Sequence, residues 1–173
     1  GVNSIDYLQT LGRLGGFYQA YALKLEKQKL FLTAIQARNK ALVIQTRLHG
    51  PDHWKVNDAK IRMQRAKHLS SLKPVEQEML IKIDRLNKEA TRIYKQGKYT
   101  EVIATEKQIL EIRSKIFTDK FSDTAESFLA LANQFNKLKD YTTAKKYLET
   151  ALQIKQNVFG QFHPEIASCM DSL

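Results

Sequence analysis

The chain is short of the features that mark secreted, membrane-spanning and catalytic proteins. Its single cysteine, Cys169, excludes an internal disulfide and removes any zinc site built on paired cysteines. One cysteine also fits a reducing compartment, so the expected location is cytoplasmic. Seven glycines and three prolines in 173 residues leave little of the chain to read as loop. No apolar stretch approaches the ~20 residues that a membrane-spanning helix needs, and no basic-then-apolar signal segment opens the chain. Period-two alternation of the kind that makes half-buried strands does not persist anywhere. HExxH spacing is missing, and no His/Cys/Asp cluster recurs. LGRLGG (11–16) has glycines but neither the lysine-serine of a P-loop nor a preceding strand, and reads instead as a helix break or kink. No catalytic residue, metal or cofactor is expected.

What is present is a packed, basic protein. A composition 43% hydrophobic and 27% charged excludes a disordered tail. The formal net charge of +10 is unevenly spread: residues 1–73 carry +9 and residues 74–173 carry +1. Such asymmetry suggests an anionic partner, whether acidic protein, nucleic acid or membrane surface, against the plainer reading of a solvated basic face. Lys55, Arg62 and Arg65 share a helix face and form a candidate basic patch without a base-reading signature. Tyr7, Phe17, Tyr18 and Tyr21 lie among Arg13, Lys24 and Lys27, where aromatic rings could stack on bases. Tyr18 and Tyr21 also fall on apolar helical positions, which assigns them to the core.

Apolar residues at three- and four-residue spacing recur along almost the whole chain. Phe128, Leu131, Ala132 and Phe135 make one stripe, and Ala144, Tyr147, Leu148, Ala151 and Leu152 make the next. The short polar KLKDY (137–141) joins them into an antiparallel hairpin. The preceding segment repeats this one: YKQGKY (94–99) aligns Tyr99 with Tyr141, and IRSKIF (112–117) aligns Phe117 with Phe159, both at an offset of 42 residues. ALVIQTRLHGPDH (41–53) matches ALQIKQNVFGQFH (151–163) at an offset of 110. Self-similarity at 20–50 residues is the mark of a helical-repeat solenoid, so the fold class is all-α.

Those matches also answer the densest cluster of reactive side chains, LHGPDHWKV (48–56), which is echoed by VFGQFHPEI (158–166). A glycine after the preceding helix supplies a left-handed cap, Pro164 opens the next helix, and His53 or Asp52 caps its own. The histidines read as punctuation between helices rather than as a metal or acid–base site. Cys169 lies six residues from His163, a spacing that does not bring two side chains onto one helical face, and reads as buried or incidental.

ALQIKQNVFGQFHPEIA (151–167), ILEIRSKIF (109–117) and ALVIQTRLHGPDH (41–53) resemble the kinesin-light-chain-type tetratricopeptide repeats, whose 42-residue unit exceeds the usual ~34. The resemblance is good over about 75–173 and patchier over 15–72. It implies a right-handed superhelical solenoid of antiparallel hairpins used for protein–protein recognition. The pattern is broken at Glu89 and Glu106, where the family prefers apolar residues, and in TDKFSDT (118–124), which lacks the glycine and His-Pro. From Phe31 to Tyr99 the spacing is 68 residues, read as an extra helix over Trp54–Ser70. The expected organisation is a degenerate N-terminal repeat (1–53), the extra helix and linker (54–73), two hairpins (74–162) and the start of a further repeat (163–173), within a longer protein.

By that resemblance the concave groove is lined by Asn87, Thr91, Tyr94 and Lys95 in one hairpin and by Leu129, Asn133, Asn136 and Lys137 in the next. Asparagine can hold a peptide backbone by its donor and its acceptor, and lysine can meet a carboxylate. The implied function is a non-catalytic scaffold that binds a protein or peptide, acidic in the case of the basic N-terminal surface. Two alternatives stand beside it: a regulatory or sensor segment of a larger signalling enzyme of the kinase or caspase-like class, and a helical array that binds nucleic acid.

Overall fold

The three- and four-residue apolar spacing is realised as helix throughout. The computed structural model describes residues 4–117, 121–161 and 163–170. Residues 118–120 of the TDKFSDT loop, Phe162 of the second histidine loop and residues 171–173 of the expected last repeat lie outside these. The described residues form helices α1 (Ile5–Lys27), α2 (Phe31–His49), α3 (Trp54–Ser70), α4 (Pro74–Lys95), α5 (Tyr99–Ile116), α6 (Asp123–Lys137), α7 (Tyr141–Phe159) and α8 (Pro164–Met170). The described residues are all-α, and within each of two units the helices pack on their neighbours in chain order, as in a helical-repeat array. The two compact units are Gly1–Leu72 and Lys73–Leu173.

In the first unit α1 packs on α2 and α2 on α3. Small residues make the close approach possible: Ala22, Ala34, Ala37 and Ala41 are all buried, with Leu25 between them. Val56, Ala59 and Ala66 form the buried stripe of α3. LGRLGG does not break α1, which runs through it unbroken from Ile5 to Lys27. The reason is tertiary. At Gly15 a Cβ would come within 2.9 Å of Ile44 Cγ2 and 3.1 Å of Gln45 Nε2, so this glycine is where α2 presses against α1. Tyr18 packs on the core as expected, whereas Tyr21 is 40% exposed and stacks on Phe17 outside it.

In the second unit α4 to α7 pack in sequence, and α8 packs on α7. Glu76 accepts from the Lys73 N–H at 2.7 Å and Pro74 occupies the first turn, which starts α4 sharply. Ile109 and Leu131 are fully buried, each stabilising the unit by about 2 kcal/mol. Ala125, Ala132, Ala144 and Ala151 again sit at the helix contacts.

All three hairpin turns have one geometry. Two residues before each aromatic that starts the second helix, the backbone turns to positive φ: Lys29 (61°) before Phe31, Gly97 (73°) before Tyr99 and Lys139 (61°) before Tyr141. In the first and last, the next N–H closes back across the helix end, Leu30 to Leu25 O and Asp140 to Phe135 O, each 2.9 Å. Two of the three turns thus place lysine where a side chain is strained.

The two histidine loops also superimpose in their details. Gly50 (φ 84°, ψ 162°) and Gly160 (φ 83°, ψ 164°) each donate to the carbonyl four residues back, Thr46 and Gln156, at 2.9 Å. With ψ near 160° these are extended glycine-only conformations rather than the left-handed cap expected from the sequence. His53 Nδ1 then accepts from Lys55 N–H at 3.1 Å, as His163 Nδ1 does from Glu165 N–H at 3.2 Å. His53 stacks on His49 and His163 on Phe159, both at 4.6 Å. By this correspondence α3 follows the hairpin α1–α2 as α8 follows α6–α7, which accounts for the helix inserted into the 68-residue spacing.

Two expectations for stability follow from these backbones. Lys139→Gly should raise the unfolding free energy by about 1 kcal/mol, because the left-handed residue loses its side-chain strain; urea denaturation measures it, and a loss would refute the strain. Among the α1 glycines, a Cβ on Gly12 or Gly16 meets nothing within 4 Å. Gly12→Ala and Gly16→Ala should therefore each add about 1 kcal/mol of helix propensity. Gly15→Ala should show no such gain and a net loss, seen in the same titrations.

Candidate functional site

The first helices of two successive hairpins, α4 and α6, line the second unit's recesses. A cleft of about 240 Å³ is bounded by Asn87, Ala90, Thr91 and Tyr94 of α4, Val102 and Glu106 of α5, and Gln134 of α6. An adjoining recess of about 500 Å³ is bounded by Tyr94 together with Asn133, Gln134, Asn136 and Lys137. Of the eight residues expected in the groove, the clefts bring together Asn87, Thr91 and Tyr94 in one, and Tyr94, Asn133, Asn136 and Lys137 in the other. Lys95 is exposed and lines neither cleft. Leu129 is half-buried and packs on the cluster of Ala125, Ala151 and Cys169.

Helical periodicity explains this arrangement. Asn87, Thr91 and Tyr94 stand at four- and three-residue steps along one face of α4, while Ala90 and Ile93 turn inward. Thr91 Oγ1 donates to the Asn87 carbonyl at 2.8 Å, which ties its hydroxyl to its own helix. Tyr94 is 40% exposed and meets Tyr99 edge-on at 5.6 Å, so its ring stands as a wall shared by both clefts.

Two polar residues of the cleft were not expected. Gln134 is buried, lines both clefts, and its Oε1 has no hydrogen-bond partner among the described residues. Glu106 is half-buried on α5, and the departure from the apolar residue expected by resemblance was the one signal for it in the sequence. Burial pushes the Glu106 carboxyl above its ordinary range, and the charge of Arg113 opposes this without reversing it. Arg113 itself donates to Ser127 Oγ at 2.8 Å. The cleft therefore presents two under-served acceptors beside an aromatic wall. Nothing about Gln134 in the sequence separates it from its exposed neighbour Asn133.

The expected basic patch is interleaved with acids of the first unit. Arg62 Nε meets both oxygens of Asp58, at 3.0 and 2.8 Å. Arg65 donates to Glu26 Oε2 at 3.2 Å, and the Lys55 ammonium lies 5.6 Å from the centre of the Trp54 ring. The cation that sequence reasoning missed is Arg38, only 5% exposed, which donates through Nε to Glu26 Oε1 at 2.9 Å. Arg38 and Arg62 line a shallow recess of about 300 Å³ with Gly16, Gln19, Ala20 and Leu23. Removing Glu26 would leave Arg38 buried without its carboxylate, a loss of about 3–5 kcal/mol.

The remaining reactive groups are held by structure. Burial first, then the neighbouring charges of Lys55 and His53, lower the His49 pKa. Burial pushes the Cys169 thiol up, against the pull of Lys155, so it is held in its unreactive protonated form. Lys155, 4% exposed, bridges Glu126 of α6 at 3.1 Å and Glu165 of α8 at 2.7 Å. Burial works against its charge, but the two carboxylates outweigh it and raise the pKa. Among the described residues no group of three or more His, Cys, Asp or Glu is placed to hold a metal, and no helix is long and apolar enough to cross a membrane.

Comparison with protein families bears on the hairpin of α6 and α7. Residues 124–165 match the tetratricopeptide repeat. That match covers α6 and α7 from the second residue of α6 to the second residue of α8. No curated protein matches the chain. This hairpin contributes Asn133, Gln134, Asn136 and Lys137 to the clefts, and its inward face holds Leu131, Ala132, Ala144, Leu148 and Ala151.

The state of Glu106 can be read from stability. Because its folded pKa lies above the ordinary 4.5, ionisation of this group lowers stability as pH rises from 4.5 through the folded value. Glu106→Gln should therefore unfold at higher urea than the parent at pH 7, and the two should converge below pH 4.5. A difference independent of pH would contradict this.

Proposed function

We propose that this chain is a non-catalytic recognition module that holds an extended segment of a protein partner along the face formed by α4 and α6. The tetratricopeptide match and the helical-repeat architecture support a protein-interaction scaffold in general. One observation carries the more specific reading: Asn87, Thr91, Tyr94, Asn133, Asn136 and Lys137, from the first helices of two successive hairpins, line two clefts that share Tyr94 and Gln134. Asn133 and Asn136, exposed, and Asn87, half-buried, offer a peptide backbone both a donor and an acceptor, and Lys137 offers a cation to a carboxylate. The 42-residue step and the repeated glycine–histidine joints support a resemblance to kinesin-light-chain-type repeats.

The test uses linear peptides selected on the 173-residue chain from a random library. Asn133→Ala combined with Lys137→Ala should weaken their binding by about thirtyfold, as expected for one neutral and one charge-assisted hydrogen bond. Fluorescence polarisation reads the change, and unchanged affinity in the double variant would refute the groove.

A further inference from the structure

The cleft between α4, α5 and α6 contains a chemical imbalance that the groove alone does not explain. Gln134 is 7% exposed, and its Oε1 is an acceptor without a donor among the described residues. A buried acceptor left unpaired destabilises a fold by about 1–3 kcal/mol. In the same recess Glu106 carries a half-buried carboxylate on the face of α5 that also bears Val102 and Ile109, opposed by the charge of Arg113. Glu106→Gln would remove the desolvation cost of that carboxylate. Two acceptors thus share one cleft of about 240 Å³, and the ring of Tyr94 forms part of its wall.

The ligand that answers this set must be rich in donors, positively charged and compatible with an aromatic face. An acidic or purely apolar side chain would leave Gln134 Oε1 unpaired and bury a second burden beside Glu106. A guanidinium brings five N–H donors in a planar fork, pairs with carboxylate in two-point geometry and packs on aromatic rings. We infer that this cleft is an arginine-binding subsite, in which the guanidinium of a bound segment pairs with Glu106 and Gln134 against Tyr94. The inference rests on the groove reading above and adds to it the identity of one anchoring side chain. With Lys137 in the adjoining recess suited to a carboxylate, the bound segment is of mixed charge rather than simply acidic.

The same peptide library supplies the test. Peptides selected on the intact chain should share an arginine at one fixed position. Replacing that arginine by citrulline, which keeps the shape and loses the charge, should weaken binding at least about tenfold. Glu106→Gln should weaken the arginine peptide by a similar factor and leave the citrulline peptide nearly unaffected, so the two changes do not add. Since Glu106→Gln removes a half-buried charge that burial disfavours, loss of folding is not the expected cause, and the unfolding midpoint checks this. Selected peptides without a fixed basic residue, or equal affinity of parent and Glu106→Gln for the arginine peptide, would overturn the subsite. In those cases sensitivity to the Asn133→Ala, Lys137→Ala pair would leave the groove itself standing. Selection of no peptide at all would overturn both.

Discussion

Close approach of antiparallel helices across alanine is the constraint on which the rest of this structure depends. Ala22, Ala34, Ala37 and Ala41 in the first unit, and Ala125, Ala132, Ala144 and Ala151 in the second, are buried almost completely where helices meet. A larger residue at any of these would push two helices apart and break the packing of every side chain beyond it. Gly15 is the extreme case, at which even a methyl would collide with Ile44. The turns obey the same constraint. Bringing the second helix back at that distance requires a positive φ at the same point in each hairpin, and the chain accepts lysine there twice.

Tight hairpins with small contact residues leave gaps between successive helices, and charged or polar groups occupy some of them. Arg38 with Glu26, and Lys155 with Glu126 and Glu165, are complete: each buried cation has its carboxylate within 3.1 Å. Such pairs tie three helices at once, since Glu26, Arg38 and Arg65 belong to α1, α2 and α3, and Lys155 joins α6, α7 and α8. Their net worth to stability is small, but losing one member is costly, so they act chiefly to specify the arrangement. Glu106, opposed by the charge of Arg113, and Gln134 are less completely served, and both line the cleft between α4, α5 and α6.

Much of this was legible in the chain. Helical spacing of Phe128, Leu131, Ala132 and Phe135, the 42-residue offset and the helix over Trp54–Ser70 all rest on local periodicity, which a one-dimensional reading captures. His53 as a helix cap was legible for the same reason, because capping spans two or three residues. The candidate groove was partly legible: Asn87, Thr91, Tyr94, Asn133, Asn136 and Lys137 are named by their register on two helices. LGRLGG misled because glycine in a helix looks like a break until the helix packed against it is known. Tyr21 misled because an apolar position on one helix is core only if a neighbour covers it.

By itself, then, the sequence determined the all-α class, the repeat and the places where one helix yields to the next, since all depend on residues near in the chain. Tertiary structure alone decided which polar residues are trapped and which are served. Arg38 finds Glu26 twelve residues away on another helix, while Gln134 and Glu106 meet from different hairpins. No periodicity within one helix encodes what stands opposite it. That opposition is what turns two acceptors into a candidate subsite.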